Sequence, residues 1–440
     1  MDFITAGILC IFLLLLLMGL GLQIGLSFVL SGIVVSTLLL GFDSSLSLLG
    51  QAAYFSIATP TWASIPLFVL MGAFAAGGGL ARRAYTGVYA MSQGLKGSLG
   101  IATCFSCAVF GAVSGSSIAT TAIFGKMALP EMNRLNYDKS FSAGCIASAG
   151  TFASMIPPSM MMIIYALFTQ QSVGKLFAAG VVPGLMTAFT YVAMILFLVK
   201  RNPKIAPAAA ERYRSSAERW KDAGQIWPVA IIAGVVLGGI YSGWFTPTEA
   251  AAAGSLITLV FGWMLGSFRK FSEVTLAMKE SANTTAMLFL INIGALFYSR
   301  ILAVTRLPTE LTMMLQGLEV PRVVILLGIL AVMFLLGMIM VPVGIYALTL
   351  PIVFPMLVAL GYDPIWFGVI ALKLTEIGSI TPPVGLNVFA MKGVIPKEMK
   401  ISIEDIFKGV WPFCICDLIV LTLLIIFPRI SLWLPNLLLG

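Results

Sequence analysis

Apolar runs of about 20 residues recur along the chain, punctuated by Gly, Pro and charge, and each is long enough to cross roughly 30 Å of hydrocarbon as a helix. They predict helices at 4–20, 22–41, 64–80, 140–165, 176–199, 227–243, 249–266, 283–302, 364–391 and 409–427, about ten full crossings. The alternating segments of about ten residues that mark a membrane barrel are missing from runs such as 11–18 and 421–426. Two further apolar stretches, 98–130 and 322–357, are too long for one crossing. Breakers interrupt each near its centre: Ser114-Gly115-Ser116-Ser117 in one and Val341-Pro342-Val343-Gly344 in the other. Both predict re-entrant hairpins that enter and leave on one side. Stretches around 46–58, 82–95, 271–280 and 308–318 are either helices lying in the interface or plain loops.

Composition agrees: of 440 residues 59% are hydrophobic and 10% charged, with a mean hydropathy of +1.02, which excludes a water-soluble domain. The fold class is an all-α polytopic membrane protein in the lipid bilayer. Histidine is absent, which removes the commonest general base and metal ligand together. The six cysteines, Cys10, Cys104, Cys107, Cys145, Cys414 and Cys416, lie in apolar runs and read as small packing residues, although Cys104 and Cys107 match a CxxC pair. Gly125-Lys126 and Gly174-Lys175 are followed by Met127 and Leu176, so no phosphate-binding loop forms and no nucleotide is expected. The first run follows Asp2 and lacks a basic flank, so it reads as a resident helix.

Short cytoplasmic loops carry excess Lys and Arg. In this layout 20 of the 26 basic residues, from Arg82 and Arg83 through Lys96, Lys126, Arg212 and Arg214 to Lys408, fall on one side. Lys175, Arg300, Arg306, Arg322 and Arg429 fall on the other, and Lys373 within a span. Both termini are then periplasmic, and the net charge of +8 faces anionic lipid, with no nucleic acid.

A shift of 225 residues lays 129–159 on 354–384 without a gap, bringing Tyr137-Asp138 onto Tyr362-Asp363 and Pro157-Pro158 onto Pro382-Pro383. Shifts of 222 and 229 align Gly32 with Gly254 and Gly180 with Gly409. The chain divides into a first repeat, 1–199, a cytoplasmic linker, 200–226, and a second repeat, 227–440. Each repeat makes five crossings, an odd number, so the second is expected to be inverted. Scaffold helices are assigned to about 1–60 and 176–199, and to about 227–280 and 409–427; the transport parts are hairpin 98–130 with broken helix 140–165, and hairpin 322–357 with broken helix 364–391.

A proline pair inside an apolar span removes backbone donors and opens the helix, and open backbone is tolerated in lipid only where it lines a site. Hydroxyl and small residues gather at both openings: Thr151, Ser154 and Ser159, then Thr375, Gly378, Ser379, Thr381, Gly385 and Asn387. Such oxygens suit Na+, one ion per half. Helix N-termini at the hairpin tips favour an anion. Lys373 and Glu376, three apart, are expected to pair with each other; Glu249 is expected to cap with Thr246; Arg300 either snorkels outward or faces the cavity; and Asp417 requires a buried partner.

Gly243-Trp244-Phe245-Thr246-Pro247-Thr248-Glu249-Ala250, Ser114-Gly115-Ser116-Ser117, Ile156-Pro157-Pro158-Ser159 and the run Glu376 to Asn387 together resemble the large membrane subunit of a tripartite ATP-independent periplasmic (TRAP) transporter, over nearly the whole chain. The resemblance implies a bacterial inner-membrane carrier that works with a periplasmic solute-binding protein and a small four-helix membrane subunit. With no such extension before Met1, that subunit is expected to be a separate chain. It further implies an elevator mechanism and places the substrate at Ser114, Ser116, Ser159, Pro342, Gly344, Gly385 and Asn387. Two or more Na+ fall at Ser117, Thr151, Ser154, Thr375, Gly378 and Thr381. The expected function is Na+-coupled import of an organic anion, such as a C4-dicarboxylate, sialic acid or a related sugar or keto acid, with no enzymatic step. The alternatives are a stand-alone Na+/dicarboxylate symporter, a membrane enzyme acting on lipid-linked substrates and a passive channel.

Overall fold

The computed structural model describes residues 2–207, 215–317 and 320–439, the side chains of 315 and 316 excepted. Arg212 and Arg214 of the linker, and residue 318 of the fourth interface stretch, lie outside them. Among the described residues every regular element is a helix. Six helices are long and apolar enough to cross a membrane: Pro60–Gly77, Val173–Arg201, Ser216–Tyr241, Phe271–Val304, Pro342–Ala359 and Ile403–Ile426. The pair Lys139–Met155 and Met160–Thr169, bent by 44°, makes a seventh if counted as one span. The chain is a multi-pass membrane protein. Ten crossings were expected; Phe3–Gly19 and Ile24–Leu40 have 17 residues each, about 26 Å of helix and a little less than the hydrocarbon.

Positions 225 residues apart share local devices. Asn136 (φ 57°) and Gly361 (φ 77°) take the left-handed conformation at equivalent places. Tyr137 N–H donates to the Met132 carbonyl at 3.0 Å and Tyr362 N–H to Leu357 at 3.1 Å, closing the same helix C-terminus twice. One residue on, Asp138 accepts from Phe141 N–H at 2.8 Å and Asp363 from Trp366 N–H at 2.9 Å, capping the helix that follows.

The repeats diverge where one residue differs. Pro60 helps to separate Phe42–Ala58 from Ser64–Gly77, whereas Ala282 stands at the equivalent place and Phe271–Val304 runs unbroken for 34 residues. That helix absorbs the stretch 271–280. The other interface candidates are helices too, Phe42–Ala58, Leu80–Ser92 and Leu307–Gln316. The linker contributes Ser216–Ala223, whose Arg219 donates to the carbonyls of Ala90 at 2.7 Å and Met91 at 3.0 Å. A C-terminal helix, Arg429–Leu439, was not foreseen.

Packing between the repeats is reciprocal. Ile24–Leu40 lies on Phe271–Val304, where a Cβ on Gly25 would stand 2.8 Å from Leu290 Cγ. Pro247–Met264 lies on Ser64–Gly77, where a Cβ on Gly254 would stand 2.6 Å from Met71 Sδ. Closer still, Ile403–Ile426 meets Lys139–Ala149 backbone to backbone, because a Cβ on Gly409 would fall 1.7 Å from the Ser140 carbonyl. Small residues thus substitute close van der Waals contact for a hydrophobic driving force that lipid does not supply.

Candidate functional site

The first break interrupts the span between Met155 and Met160, with Pro157-Pro158 in the gap. Ser159 caps the helix beyond, its Oγ accepting from Met162 N–H at 3.4 Å. The tip of the hairpin Ser98–Ser114 and Ser117–Arg134 rests on this break: a Cβ on Gly115 would lie 3.3 Å from Met160 N and 3.5 Å from the Pro158 carbonyl. A Cβ on Gly150 would lie 1.9 Å from Thr121 Oγ1 and 3.1 Å from the Ser117 carbonyl. Ser114, Ser116, Ser117, Thr151, Ser154 and Ser159 are therefore gathered in one region. Ser114 and Thr120 share a hydroxyl hydrogen bond of 2.8 Å, and Ser116 accepts from Ala119 N–H at 3.4 Å as the next helix begins.

The second break lies between Ser379 and Leu386. It docks on the end of Arg322–Gly337: Gly385 N–H donates to the Met338 carbonyl at 3.3 Å, and a Cβ on Gly378 would stand 2.5 Å from the Gly337 carbonyl carbon. Thr375, Gly378, Thr381, Gly385 and Asn387 all border this opening. Pro342 starts Pro342–Ala359, but a Cβ on Gly344 would meet the Ile24 side chain at 3.0 Å and Met340 at 3.2 Å, not the opening.

Both openings offer oxygen lone pairs. Thr151, Thr375 and Thr381 donate to the carbonyls of Ser148 (2.7 Å), Leu372 (2.9 Å) and Ile377 (2.7 Å), which leaves each hydroxyl oxygen a lone pair to offer, the Thr381 oxygen also lying 4.0 Å from the Cys414 thiol. Buried oxygens of Thr121, Ser148, Asn387 and Glu376 make no hydrogen bond of good geometry. Leaving such groups unmade costs about 1–3 kcal/mol each. Among the described residues no three of His, Cys, Asp and Glu come together as metal ligands. The donors are hydroxyl, carbonyl and single carboxylate oxygens, a set that fits a hard monovalent cation.

The expected pairing of Lys373 with Glu376 does not form. Lys373 instead bonds the Asp417 carboxylate and, at 3.1 Å, Thr187 Oγ1, while Tyr191 donates to the other Asp417 oxygen at 2.7 Å. A partner on a neighbouring helix, itself held by a phenol, satisfies both buried charges more fully than a same-helix acid. Arg300 turns from the site, its Nη1 3.5 Å from Gln51 Oε1 and its guanidinium 5.6 Å from the Phe55 ring centroid. Thr246 and Glu249 form the expected capping box.

Beside the first tip lies a cavity of about 170 Å³, lined by Gly72, Ser114, Ser116, Met160, Glu280 and Thr284 among others. It brings the two serines of the first tip against Phe271–Val304 and includes nothing from the second tip. Glu280 escaped the sequence reading because it ends a stretch that reads as an interface helix. Its only signal was an acid just before an apolar run.

Residues 9–430 match the family model "Tripartite ATP-independent periplasmic transporter, DctM component". The chain is 36% identical to a C4-dicarboxylate TRAP transporter large permease protein of Pseudomonas aeruginosa, over 86% of each chain. It is 29% identical to a sialic acid TRAP transporter large permease protein of Vibrio cholerae, over 96% of each. The fold resembles that of the Alcanivorax borkumensis YdaH transporter, with a TM-score of 0.62 and 15% identity over 90% of each chain.

Proposed function

We propose, starting from the fact that this chain belongs to the DctM component family of tripartite ATP-independent periplasmic transporters, that it is the Na+-coupled permease importing an organic anion across a bacterial inner membrane. The family is one of transporters, not enzymes. The observation that carries the reading is the pair of helix openings at Pro157-Pro158 and Pro382-Pro383, both bordered by hydroxyls with free lone pairs. Relatives named for C4-dicarboxylate and sialic acid support a carboxylated solute.

Thr151 and Ser154 with Ser117 would hold one Na+, and Thr375, Gly378 and Thr381 a second. Each inward Na+ contributes about 2.3 kcal/mol per 100 mV. Ser114, Ser116 and Ser159 at the first tip, with Gly385 and Asn387 at the second opening, would meet the anion. Val173–Arg201 and Ile403–Ile426, read as scaffold from the sequence, pack on the broken helices, with Gly409 seated on Ser140, which supports grouping them with the body that would carry the site and leaving the scaffold to the reciprocal helices. That body would move as an elevator. The partners are a periplasmic solute-binding protein and a small membrane subunit, the other two parts of a tripartite system.

The test is uptake into proteoliposomes holding this chain and the small subunit. Import is expected only with a Na+ gradient and loaded binding protein. Import undiminished without the binding protein would favour a stand-alone symporter, and flux indifferent to Na+ would sink the reading.

A further inference from the structure

The second opening carries a charge that no proposed role uses. Glu376 is 2% exposed, and neither carboxylate oxygen makes a hydrogen bond of good geometry. The nearest candidate cation on its own helix, Lys373, is taken by Asp417 and Thr187. The helix that carries Glu376 packs against the segment that carries Ser154, and the hydroxyls of Ser154, from the first broken helix, and Ser117, from the first hairpin tip, stand beside the carboxylate without aligning well on it; Tyr346 of the second hairpin is also near. Glu376 belongs to the second repeat, yet two of its polar neighbours are hydroxyls of the first.

We propose that Glu376 is a ligand of the Na+ held by Ser117 and Ser154, so that this ion is bound jointly by the two repeats. The inference rests on the sodium reading above and deepens it. A buried carboxylate with no well-formed hydrogen bond is costly, and a cation seated among it and two hydroxyls removes that cost while satisfying hard-oxygen chemistry. The repeat alignment sharpens the point: position 376 of the second half corresponds to Thr151 of the first, so one half has a neutral hydroxyl where the other has a formal negative charge. The shared ion would be neutralised by the protein. It would also clamp the hairpin tip to both broken helices at once, which ties ion occupancy to the relative position of the two halves.

The test is thermal unfolding of the purified, detergent-solubilised protein, titrated with NaCl at constant ionic strength against KCl. Wild type is expected to gain stability with Na+ and not with K+. Glu376→Gln should raise the half-saturating Na+ at least tenfold, and should unfold at a higher temperature than wild type in KCl alone, because the uncompensated charge is gone. That opposite pair of effects separates a ligand from a packing residue, whose loss would lower stability in both salts. Should the Gln variant fail to assemble, Glu376→Asp, which withdraws the carboxylate by one methylene, is expected to weaken the Na+ response at least threefold; an unchanged midpoint overturns the proposal. A shift in Ser154→Ala with none in Glu376→Gln overturns this inference and leaves the sodium reading intact. No Na+-specific stabilisation in wild type defeats both.

Discussion

The two broken helices share a frame and differ in what hangs on it. Both begin at a Tyr-Asp pair whose aspartate caps the helix, with a left-handed residue before it, Asn136 in one and Gly361 in the other, and both open at Pro-Pro. Yet where the first carries Ser148 and Thr151, the second carries Lys373 and Glu376, all buried. The first opening is enclosed, with Pro157, Pro158 and Ser159 buried, whereas Pro382 and Pro383 are exposed. Backbone devices can therefore be duplicated while charge is confined to one copy, because a buried charge demands partners from a third helix and a hydroxyl does not.

The largest expected effect breaks that asymmetry. Lys373→Ala would strand Asp417 in the interior, and a cost of about 3–5 kcal/mol is expected, read as a collapse in yield or in unfolding temperature. Its counterpart, Ser148→Ala, removes a hydroxyl that has no partner and should be neutral or slightly stabilising. Next come the glycines that seat the two long helices. Gly409→Ala drives a Cβ to 1.7 Å from a backbone oxygen, while Gly180→Ala meets the mobile end of Met162 at 2.1 Å and the Met155 carbonyl at 2.7 Å. About 1–3 kcal/mol is expected at Gly180 and more at Gly409, a ranking that Tm values of the purified variants would check.

Smaller effects sharpen the equivalence. Ser154→Ala in one half and Thr381→Val in the other should each raise the Na+ needed for half-maximal uptake several-fold while leaving insertion unaltered; unchanged sodium activation in both would remove the two assigned positions. Smallest of all, Asp138→Ala and Asp363→Ala should each cost about 1 kcal/mol, and by similar amounts, since both caps make one hydrogen bond of nearly the same length. Unequal losses would show that the repeated frame is not energetically equivalent.

Much of this was legible in the chain. Period, breakers and self-alignment locate the helices, the interruptions and the hydroxyl clusters, because proline and lipid impose local rules that need no tertiary knowledge. Three features were hidden for a shared reason. The partner of Lys373 lies 44 positions away, that of Arg300 lies 249 away, and Glu280 joins the first tip only through folding. Spacing on one helix favoured Glu376 for Lys373, but a phenol-supported carboxylate on another helix prevailed. The uninterrupted Phe271–Val304 was readable in retrospect from a single alanine where the first repeat has Pro60.

The crosswise seating of Ile24–Leu40 and Pro247–Met264 has an ancestral implication. A polypeptide of half this length would leave its second helix and the groove meant for it both unfilled, and only another copy could complete them. This crosswise packing is the kind that two half-length chains would make as a dimer, and severing the chain within the linker should yield two fragments that are each unstable alone but reassemble when produced together.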